Sequence, residues 1–178
     1  EGLTFLDIIA RQARHSGVRL LLMNSYNTHD DSLAVLRNYP ELWGSIPLDF
    51  VQHKVPKVLV DTLEPAAWPQ NPALEWCPPG HGDIYTTLVT SGMLDILLAA
   101  GYRYAFVSNS DNLAAALDPL ILGYFAEREL PFMMEVTERT EMDRKGGPLV
   151  RTRFAPVKST DDLLALRSDA YVLTEDYR

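Results

Sequence analysis

The sequence predicts an α/β fold built on an open sheet, and three observations support this class. Segments in which apolar residues recur at helical spacing alternate along the chain with short apolar runs. Glycine, proline or polar residues separate these segments. The apolar runs are nearly continuous, as expected for strands covered on both faces. Because ligands of such sheets bind at the carboxyl ends of strands, polar segments that follow the strands are candidate sites.

Helices are predicted where helical spacing lies between start and stop signals. They cover residues 4–16, 28–39, 84–100, 119–129 and 161–167. Gly17 and Gly101 are natural stops for the first and third, and Thr28 is a natural start for the second. Strands are predicted at residues 18–23, 55–63, 104–107, 132–136 and 170–173, with 104–107 the clearest buried run. Residues 65–82 are rich in proline and glycine and are predicted to be mostly loop.

Composition excludes several classes of protein. The chain has 178 residues, of which 47% are hydrophobic, one cysteine and a net charge of −8. A chain of this size can bury a core without disulfides, and a lone cysteine favours a reducing, cytoplasmic setting. Its apolar stretches are shorter than the roughly 20 residues of a membrane span, and its acidic charge disfavours a general nucleic-acid coat. We therefore expect no membrane and no nucleic-acid partner; the sequence leaves the oligomeric state unknown.

The loop before the third predicted helix has the least ordinary composition. It reads Trp-Cys-Pro-Pro-Gly-His-Gly-Asp over residues 76–83. The glycines beside His81 allow close backbone approach, so the loop can aim amide N–H groups and an imidazole at a phosphate. A tight turn in which Asp83 caps the next helix explains the same residues about equally well.

A polar cluster follows the predicted strand at residues 104–107. It contains Asn109, Ser110, Asp111 and Asn112. A carboxylate at a strand end is well placed to hold Mg²⁺, which takes only one or two protein carboxylates and completes its shell with water and phosphate. An Asx turn that leads into the next helix is the alternative, and spacing alone slightly favours it.

A basic stretch stands out in this acidic chain. Residues 139–158 hold six basic side chains against two acidic ones. Such a run is usually a solvent-exposed basic surface, and the more specific alternative is a binding site for polyphosphate. The four histidines show no zinc-ligand spacing with cysteine, and no activated serine or cysteine nucleophile is evident.

Taken together, these segments resemble the UTP–glucose-1-phosphate uridylyltransferase family, in a bacterial-type and incomplete chain. The matching motifs include Leu-Met-Asn-Ser-Tyr-Asn-Thr at residues 22–28 and Pro-Pro-Gly-His-Gly-Asp at residues 78–83. Others lie at residues 52–58, 106–113, 135–137, 145–147, 154–158 and 161–164. Each motif alone is weak, but the set occurs in the family's order and covers most of the chain.

The resemblance implies a Rossmann-like mixed sheet of the nucleotide-sugar transferase type, with helices on both faces. It implies that UTP and glucose 1-phosphate are converted to UDP-glucose and pyrophosphate, and the His81 loop favours glucose over N-acetylhexosamines. It also implies roles for single residues: a metal ligand for Mg²⁺ in Asp111 and a catalytic residue in Lys158. Nucleotide-binding residues would be Gln52, Gly80, Asn109 and Asp111. Sugar-phosphate-binding residues would be His81, Asn109, Ser110 and Gly147.

The chain departs from the family pattern in ways that make residues 1–178 an incomplete catalytic domain. The family's Gly-rich nucleotide loop, which precedes the first helix, and its β-helical extension are not in this chain. Gly147 and Lys158 are only 11 positions apart, where the family has a long stretch, so we expect a junction between separate segments near residues 150–153. Ala114 replaces a common glycine. Two alternatives stay open: a catalytically silent fragment or nucleotide-binding module of this fold, and a pyrophosphorylase for another sugar 1-phosphate.

Overall fold

A computed structural model of the chain describes residues 2–136, which belong to two compact units. Among the described residues, the first unit combines residues 2–18 with residues 106–136, and the second unit is Arg19–Ala105. The predicted site residues Gly147 and Lys158 lie outside the described residues. So do the basic stretch, the predicted elements at residues 161–167 and 170–173, and the predicted junction near residues 150–153.

The described residues form five α-helices and four short β-strands. In chain order they are α1 (Phe5–Ser16), β1 (Leu22–Asn24), α2 (His29–Leu36), β2 (Asp49–Val51), β3 (Val55–Pro56), β4 (Trp76–Cys77), α3 (Asp83–Thr90), α4 (Met93–Ala99) and α5 (Pro119–Glu127). Single 3₁₀ turns lie at Pro40–Leu42 and Pro72–Glu75. No helix within residues 2–136 is both long enough and apolar enough to cross a membrane.

Helix α1, in the first unit, begins and ends where the sequence predicts. Thr4 and Asp7 form a capping box: the Asp7 N–H donates to Thr4 Oγ1 at 3.2 Å, and the Thr4 N–H donates to Asp7 Oδ2 at 2.8 Å. Gly17 ends the helix in the left-handed conformation. Gln12 Nε2 donates to the Leu113 carbonyl at 2.8 Å, which fastens α1 to the segment that follows Asp111.

The second unit is built on a parallel strand pair. Strands β1 and β2 pair with Leu22 opposite Asp49 and Asn24 opposite Val51. A parallel pair needs a crossover connection, and α2 with the 3₁₀ turn at Pro40–Leu42 provides it. Apolar side chains from the sheet region and from α3 and α4 form the core: Ile46, Phe50 and Met93, with Leu21, Met23, Ile84, Leu88 and Leu97 packed against them. The shared core holds α3 against the strands.

The guanidinium of Arg19 supports the crossover where it approaches β2. Its Nη1 donates to the Leu42 carbonyl at 2.6 Å, and its Nη2 donates to the Ile46 carbonyl. A planar guanidinium can satisfy several carbonyls of one irregular segment at once. The segment between the 3₁₀ turn and β2 therefore keeps a defined path without regular secondary structure of its own.

The single helix predicted at residues 84–100 is wrong, because the structure contains two helices there. Helix α3 ends at Thr90 and α4 begins at Met93. Gly92 adopts a φ of +74° between them, and a residue in the left-handed region cannot continue a right-handed helix. Gly101, also at positive φ, follows α4 as predicted.

Two predicted strands are also wrong within the described residues. Neither 104–107 nor 132–136 forms a strand there, and Phe106 and Val107 are 48% and 59% exposed. An apolar run indicates a tendency to extend, but a strand exists only when a partner completes its hydrogen bonds. Within the segment at residues 55–63 a strand forms only at Val55–Pro56, and Val58 adds an isolated antiparallel bridge to Pro65. The chain turns back at Leu63, whose φ is +59°.

Candidate active site

The carboxyl ends of β1 and β2 bring Asn24 and Gln52 together. The Gln52 N–H donates to the Asn24 carbonyl at 2.8 Å, which continues the parallel ladder one residue past β2. Gln52 is half-buried, and its side-chain Oε1 is shielded from solvent with no hydrogen-bond partner among the described residues. A buried amide oxygen of this kind calls for a donor. The geometry therefore leaves Gln52 able to accept a hydrogen bond from a ligand at this sheet edge.

A polar network links this edge of the sheet to α2. The buried Asn24 donates from Nδ2 to Asp49 Oδ2 at 2.9 Å, and its Oδ1 accepts from Ser32 Oγ at 2.9 Å. His29 Nδ1 lies 2.5 Å from the same Asp49 oxygen. These contacts join the first half of α2 to both strands, so the entry of α2 is set by the sheet.

Thr28 precedes α2 as predicted, but its side chain does not cap the helix. Its Oγ1 instead accepts from the Ser25 N–H at 3.0 Å, and the Thr28 N–H donates to the Ser25 carbonyl at 3.1 Å. The hydroxyl thus shapes the turn between β1 and α2, a common competing role for threonine.

A second polar cluster joins the residue after Gln52 to the start of α3. The His53 N–H donates to Asp83 Oδ2 at 2.8 Å, and His53 Nδ1 lies 2.8 Å from Asp83 Oδ1. Thr87 Oγ1 donates to Asp83 Oδ2 at 2.8 Å, and Thr90 Oγ1 lies 3.0 Å from His53 Nε2. The His53 side chain is 42% exposed and that of Asp83 only 10%.

The contacts of Asp83 lower its pKa. Burial of the carboxylate acts to raise the pKa, but hydrogen bonds from the backbone and imidazole of His53, the Thr87 hydroxyl and the charge of His53 outweigh it. The result is a pKa below the ordinary value of 3.8. The alternative in which Asp83 caps α3 is wrong, because Asp83 is already the first residue of the helix. The N-cap position belongs to Gly82, which has no side chain that could cap the helix.

The loop between β4 and α3 presents Gly80 and His81 to solvent. Gly80 has a φ of +111° and no atom within 4 Å of the position a Cβ would take. Its carbonyl accepts from the Asp83 N–H at 3.2 Å, and the His81 carbonyl accepts from the Ile84 N–H at 3.2 Å. Glycine is required here by the backbone conformation rather than by crowding, and a ligand can approach the open main chain.

The first unit contains the other described residues of the predicted site. Asn109 and Ser110 are exposed, and Asp111 is half-buried with its Oδ1 shielded from solvent. The turn is closed by the main chain, with the Asn112 N–H donating to the Asn109 carbonyl at 3.1 Å.

Metal-ligating side chains are sparse: residues 2–136 contain no cluster of three or more histidine, cysteine, aspartate or glutamate side chains able to hold an ion. Mg²⁺ needs only one or two protein carboxylates when phosphates and water complete its shell. Asp111 therefore has the donor chemistry for that ion.

The predicted site residues thus fall in both units. Gln52, Gly80 and His81 belong to Arg19–Ala105, whereas Asn109, Ser110 and Asp111 belong to the other unit. Sequence reasoning missed the roles of Asn24, Asp49 and His53. The sequence signal that could have identified Asn24 and His53 is their position at or just after the carboxyl ends of β1 and β2, where the ligand-binding residues of α/β sheets lie.

Comparison with known proteins identifies the family. A family model described as UTP–glucose-1-phosphate uridylyltransferase matches residues 1–152. The UTP–glucose-1-phosphate uridylyltransferase of Solanum tuberosum is 42% identical over 157 residues, which are 84% of this chain and 32% of the relative. The chain thus spans about a third of the length of this curated relative.

Solved structures of the UDP-glucose pyrophosphorylase from Leishmania major are similar in fold. One is 48% identical with a TM-score of 0.72, over 82% of this chain and 32% of that one. A single-site mutant in complex with UDP-glucose is 32% identical with a TM-score of 0.87, over 100% of this chain and 62% of that one.

The predicted α/β nucleotidyltransferase fold is confirmed by these neighbours. The relatives named here are from eukaryotes, so they give no support to the bacterial type. Because the family model matches residues 1–152 of this 178-residue chain, the chain belongs to the UTP–glucose-1-phosphate uridylyltransferase family.

Proposed function

We propose that the protein carrying this chain transfers a uridylyl group from UTP to glucose 1-phosphate and releases pyrophosphate. The observation that carries the proposal is the neighbour from Leishmania major in complex with UDP-glucose, which aligns with the whole chain at a TM-score of 0.87. The proposal concerns the protein at its natural length, since the chain spans about a third of the curated relatives.

Gln52 and Gly80 are proposed to bind the nucleotide. The shielded Oε1 of Gln52 suits an N–H donor such as the imide of uracil. Gly80 has open space where any other residue would carry a Cβ, which lets a planar base or a ribose approach the main chain. Both contacts supply uniform binding energy, so they act on the affinity for UTP.

Asn109, Ser110 and His81 are proposed to bind the sugar phosphate, with Gly147 beside the hexose. The three side chains are exposed in their own units, and an amide, a hydroxyl and an imidazole can all donate to phosphate or sugar oxygens. The reaction requires an oxygen of glucose 1-phosphate to attack the α-phosphorus of UTP in line. The new P–O bond forms as the bond to the β-phosphate oxygen breaks, and the electron pair leaves with pyrophosphate.

Charge neutralisation is the main catalytic requirement of this step. Asp111 is proposed to hold Mg²⁺, which when bound would neutralise phosphate charge and order the oxygens. Lys158 is proposed as the catalytic residue that places an ammonium group on the phosphates. No protein nucleophile is needed, because the phosphate oxygen of the substrate attacks directly.

A cytoplasmic setting accords with the single free cysteine, Cys77.

Pyrophosphate release tests the proposal. The natural-length protein would be supplied with UTP and, in turn, the 1-phosphates of glucose, galactose and N-acetylglucosamine. We expect glucose 1-phosphate to give the highest kcat/KM. A higher value for either of the other sugars would make the substrate assignment wrong, and no release with any sugar phosphate would identify a silent binding module.

A further inference from the structure

The imidazole of His53 lies against one face of α3. Asp83, Thr87 and Thr90 are spaced four and three positions apart, so their side chains lie along one side of the helix. His53 lies within hydrogen-bond distance of all three, at 2.8 Å from Asp83 Oδ1, 3.1 Å from Thr87 Oγ1 and 3.0 Å from Thr90 Oγ1. The His53 main chain adds a fourth bond, to Asp83 Oδ2. No step of the proposed reaction uses this cluster.

The two ring nitrogens of His53 have different partners. Nδ1 faces the Asp83 carboxylate, which only accepts, so Nδ1 carries the proton and donates. Nε2 faces the Thr90 hydroxyl, which can either donate or accept. The contact with Asp83 is a charge-assisted hydrogen bond and is the strongest member of the cluster.

The segment after Gln52 holds both ends of the loop that contains Gly80 and His81. At the first end, Cys77 pairs with Val55 in the antiparallel β3–β4 ladder. At the second end, Asp83 accepts the hydrogen bonds of His53, and its own N–H closes the turn on the Gly80 carbonyl. The two anchors are only two residues apart in the chain, directly after Gln52. Without the His53 imidazole, the loop would keep its anchor at Cys77 and the main-chain bond from His53 to Asp83, and it would lose the contact between the imidazole and Asp83.

We infer that His53 is a positioning residue for nucleotide binding: through Asp83 it sets the Gly80–Gly82 loop at a fixed place relative to Gln52. The inference rests on the proposed function, in which Gln52 and Gly80 contact the nucleotide. His53 touches no substrate itself. Its effect is on the affinity for UTP rather than on the chemical step, because the groups that it aligns bind substrate and transition state equally well.

Steady-state kinetics on the natural-length protein test this role. His53→Ala is expected to raise the KM for UTP about tenfold while kcat changes by less than about twofold, as for the loss of one charge-assisted hydrogen bond. His53→Asn places an amide donor near the position of Nδ1 and is expected to recover most of the affinity. The matched control is His15→Ala, at an exposed histidine of α1, and its KM should match that of the unaltered protein.

A double-mutant cycle asks whether His53 acts through Asp83. Asp83→Asn keeps the side-chain volume but removes the carboxylate, and it should raise the KM for UTP by a similar factor. If the two residues form one link, combining His53→Ala with Asp83→Asn should give no larger rise than the worse single variant. Independent, multiplicative effects would overturn the inference.

Amide hydrogen exchange separates this inference from the proposed function. His53→Ala should speed exchange at residues 80–84 and leave the β1–β2 amides unchanged, with His53→Asn restoring protection. If the unaltered protein released no pyrophosphate, the proposed function would be wrong, and exchange would still decide whether His53 holds the loop. Unchanged exchange at residues 80–84, or a normal KM in both folded single variants, would overturn the positioning role. If His53→Ala speeds exchange throughout its unit rather than only at residues 80–84, the same exchange and KM measurements on His53→Asn and Asp83→Asn decide the positioning role.

Discussion

The side chain of Asn24 stabilises the fold in a way that its position in the sequence does not reveal. Its amide bonds to Asp49 on the neighbouring strand and to Ser32 on α2, and the side chains of Asn24 and Asp49 are both nearly inaccessible to solvent. An amide is suited to this place because it donates to a carboxylate from one side and accepts a hydroxyl from the other. A single residue therefore couples three elements at the edge where Gln52 emerges.

Replacing Asn24 should destabilise the unit that contains it. Asn24→Ala leaves Asp49 and Ser32 without their amide partner, and we expect the free energy of unfolding to fall by about 2–3 kcal/mol. Urea denaturation measures the change. Asn38→Ala, at an exposed asparagine beyond α2, is the control and should cost less than about 0.5 kcal/mol. Equal midpoints for the two variants would contradict the network role.

Asp83 should make stability depend on pH in the acidic range. Its pKa is lowered in the folded protein, so the folded state favours the carboxylate more than the unfolded state does. That stabilisation is fully present above the ordinary pKa of 3.8 that holds in the unfolded chain and is lost as pH falls through the lower folded value. The difference in unfolding free energy between the unaltered protein and Asp83→Asn should be constant above about pH 5 and shrink below about pH 4.

Chemical denaturation at a series of pH values measures that difference. Asp61→Asn, at an exposed aspartate, is the matched control and should lie close to the unaltered protein at neutral pH. If the difference in unfolding free energy between the unaltered protein and Asp83→Asn increased as pH fell, it would contradict a lowered pKa for Asp83.

At the scale of elements, helices were predicted better than strands. Helix α1 has its start in Thr4 and Asp7 and its stop in Gly17, all within a few residues of the helix itself. Asp118 likewise begins α5 by accepting from the Leu120 N–H at 2.8 Å. Strands at residues 104–107 and 132–136 were wrong because pairing depends on another segment, which no local pattern specifies.

The break between α3 and α4 is the element boundary that a single residue decides. Gly92 has a φ of +74°, whereas Gly123 lies within α5 with no atom within 4 Å of a Cβ position. Gly92→Ala should lower the free energy of unfolding by about 1 kcal/mol, because alanine is strained in the left-handed region. Gly123→Ala should raise it by about 0.5–1 kcal/mol, because alanine favours the helix. Thermal denaturation of both variants checks the opposite signs, and a stabilised Gly92→Ala would contradict the observed break.

At the scale of the whole molecule, the proposed chemistry depends on Asp111 and a divalent cation. Asp111→Ala should lower pyrophosphate release by about a hundredfold or more, since charge on the transferred phosphate would go uncompensated. Removing metal with a chelator should have the same effect on the unaltered protein, and added Mg²⁺ should restore the rate. Asp61→Ala serves as the control of equal charge change. Full activity in the presence of chelator would make the metal proposal wrong.

The candidate site was predictable in its residue types and only partly in its geometry. The Pro-Pro-Gly-His-Gly-Asp motif predicts a ligand site in this loop, where the structure presents Gly80 and His81 to solvent. Their contact with a ligand stays a prediction. The structure also assigns Asp83 to His53, a partner 30 residues earlier in the chain. Nothing local to either residue predicts that pairing, because it depends on how β2 and α3 share one core.

The sequence by itself determined the α/β class, the start and stop of α1, the start of α5, and membership of a nucleotidyltransferase family. These properties are encoded by neighbouring residues: a cap, a glycine stop, an ordered series of motifs. Only the tertiary structure decided that Gln52 lies beside Asn24, that Gly92 divides one apolar segment into two helices, and that His53 bonds to Asp83. Each of these depends on residues far apart in the chain or on a backbone conformation set by packing, because a side chain finds its partner only after the crossover has brought distant segments together.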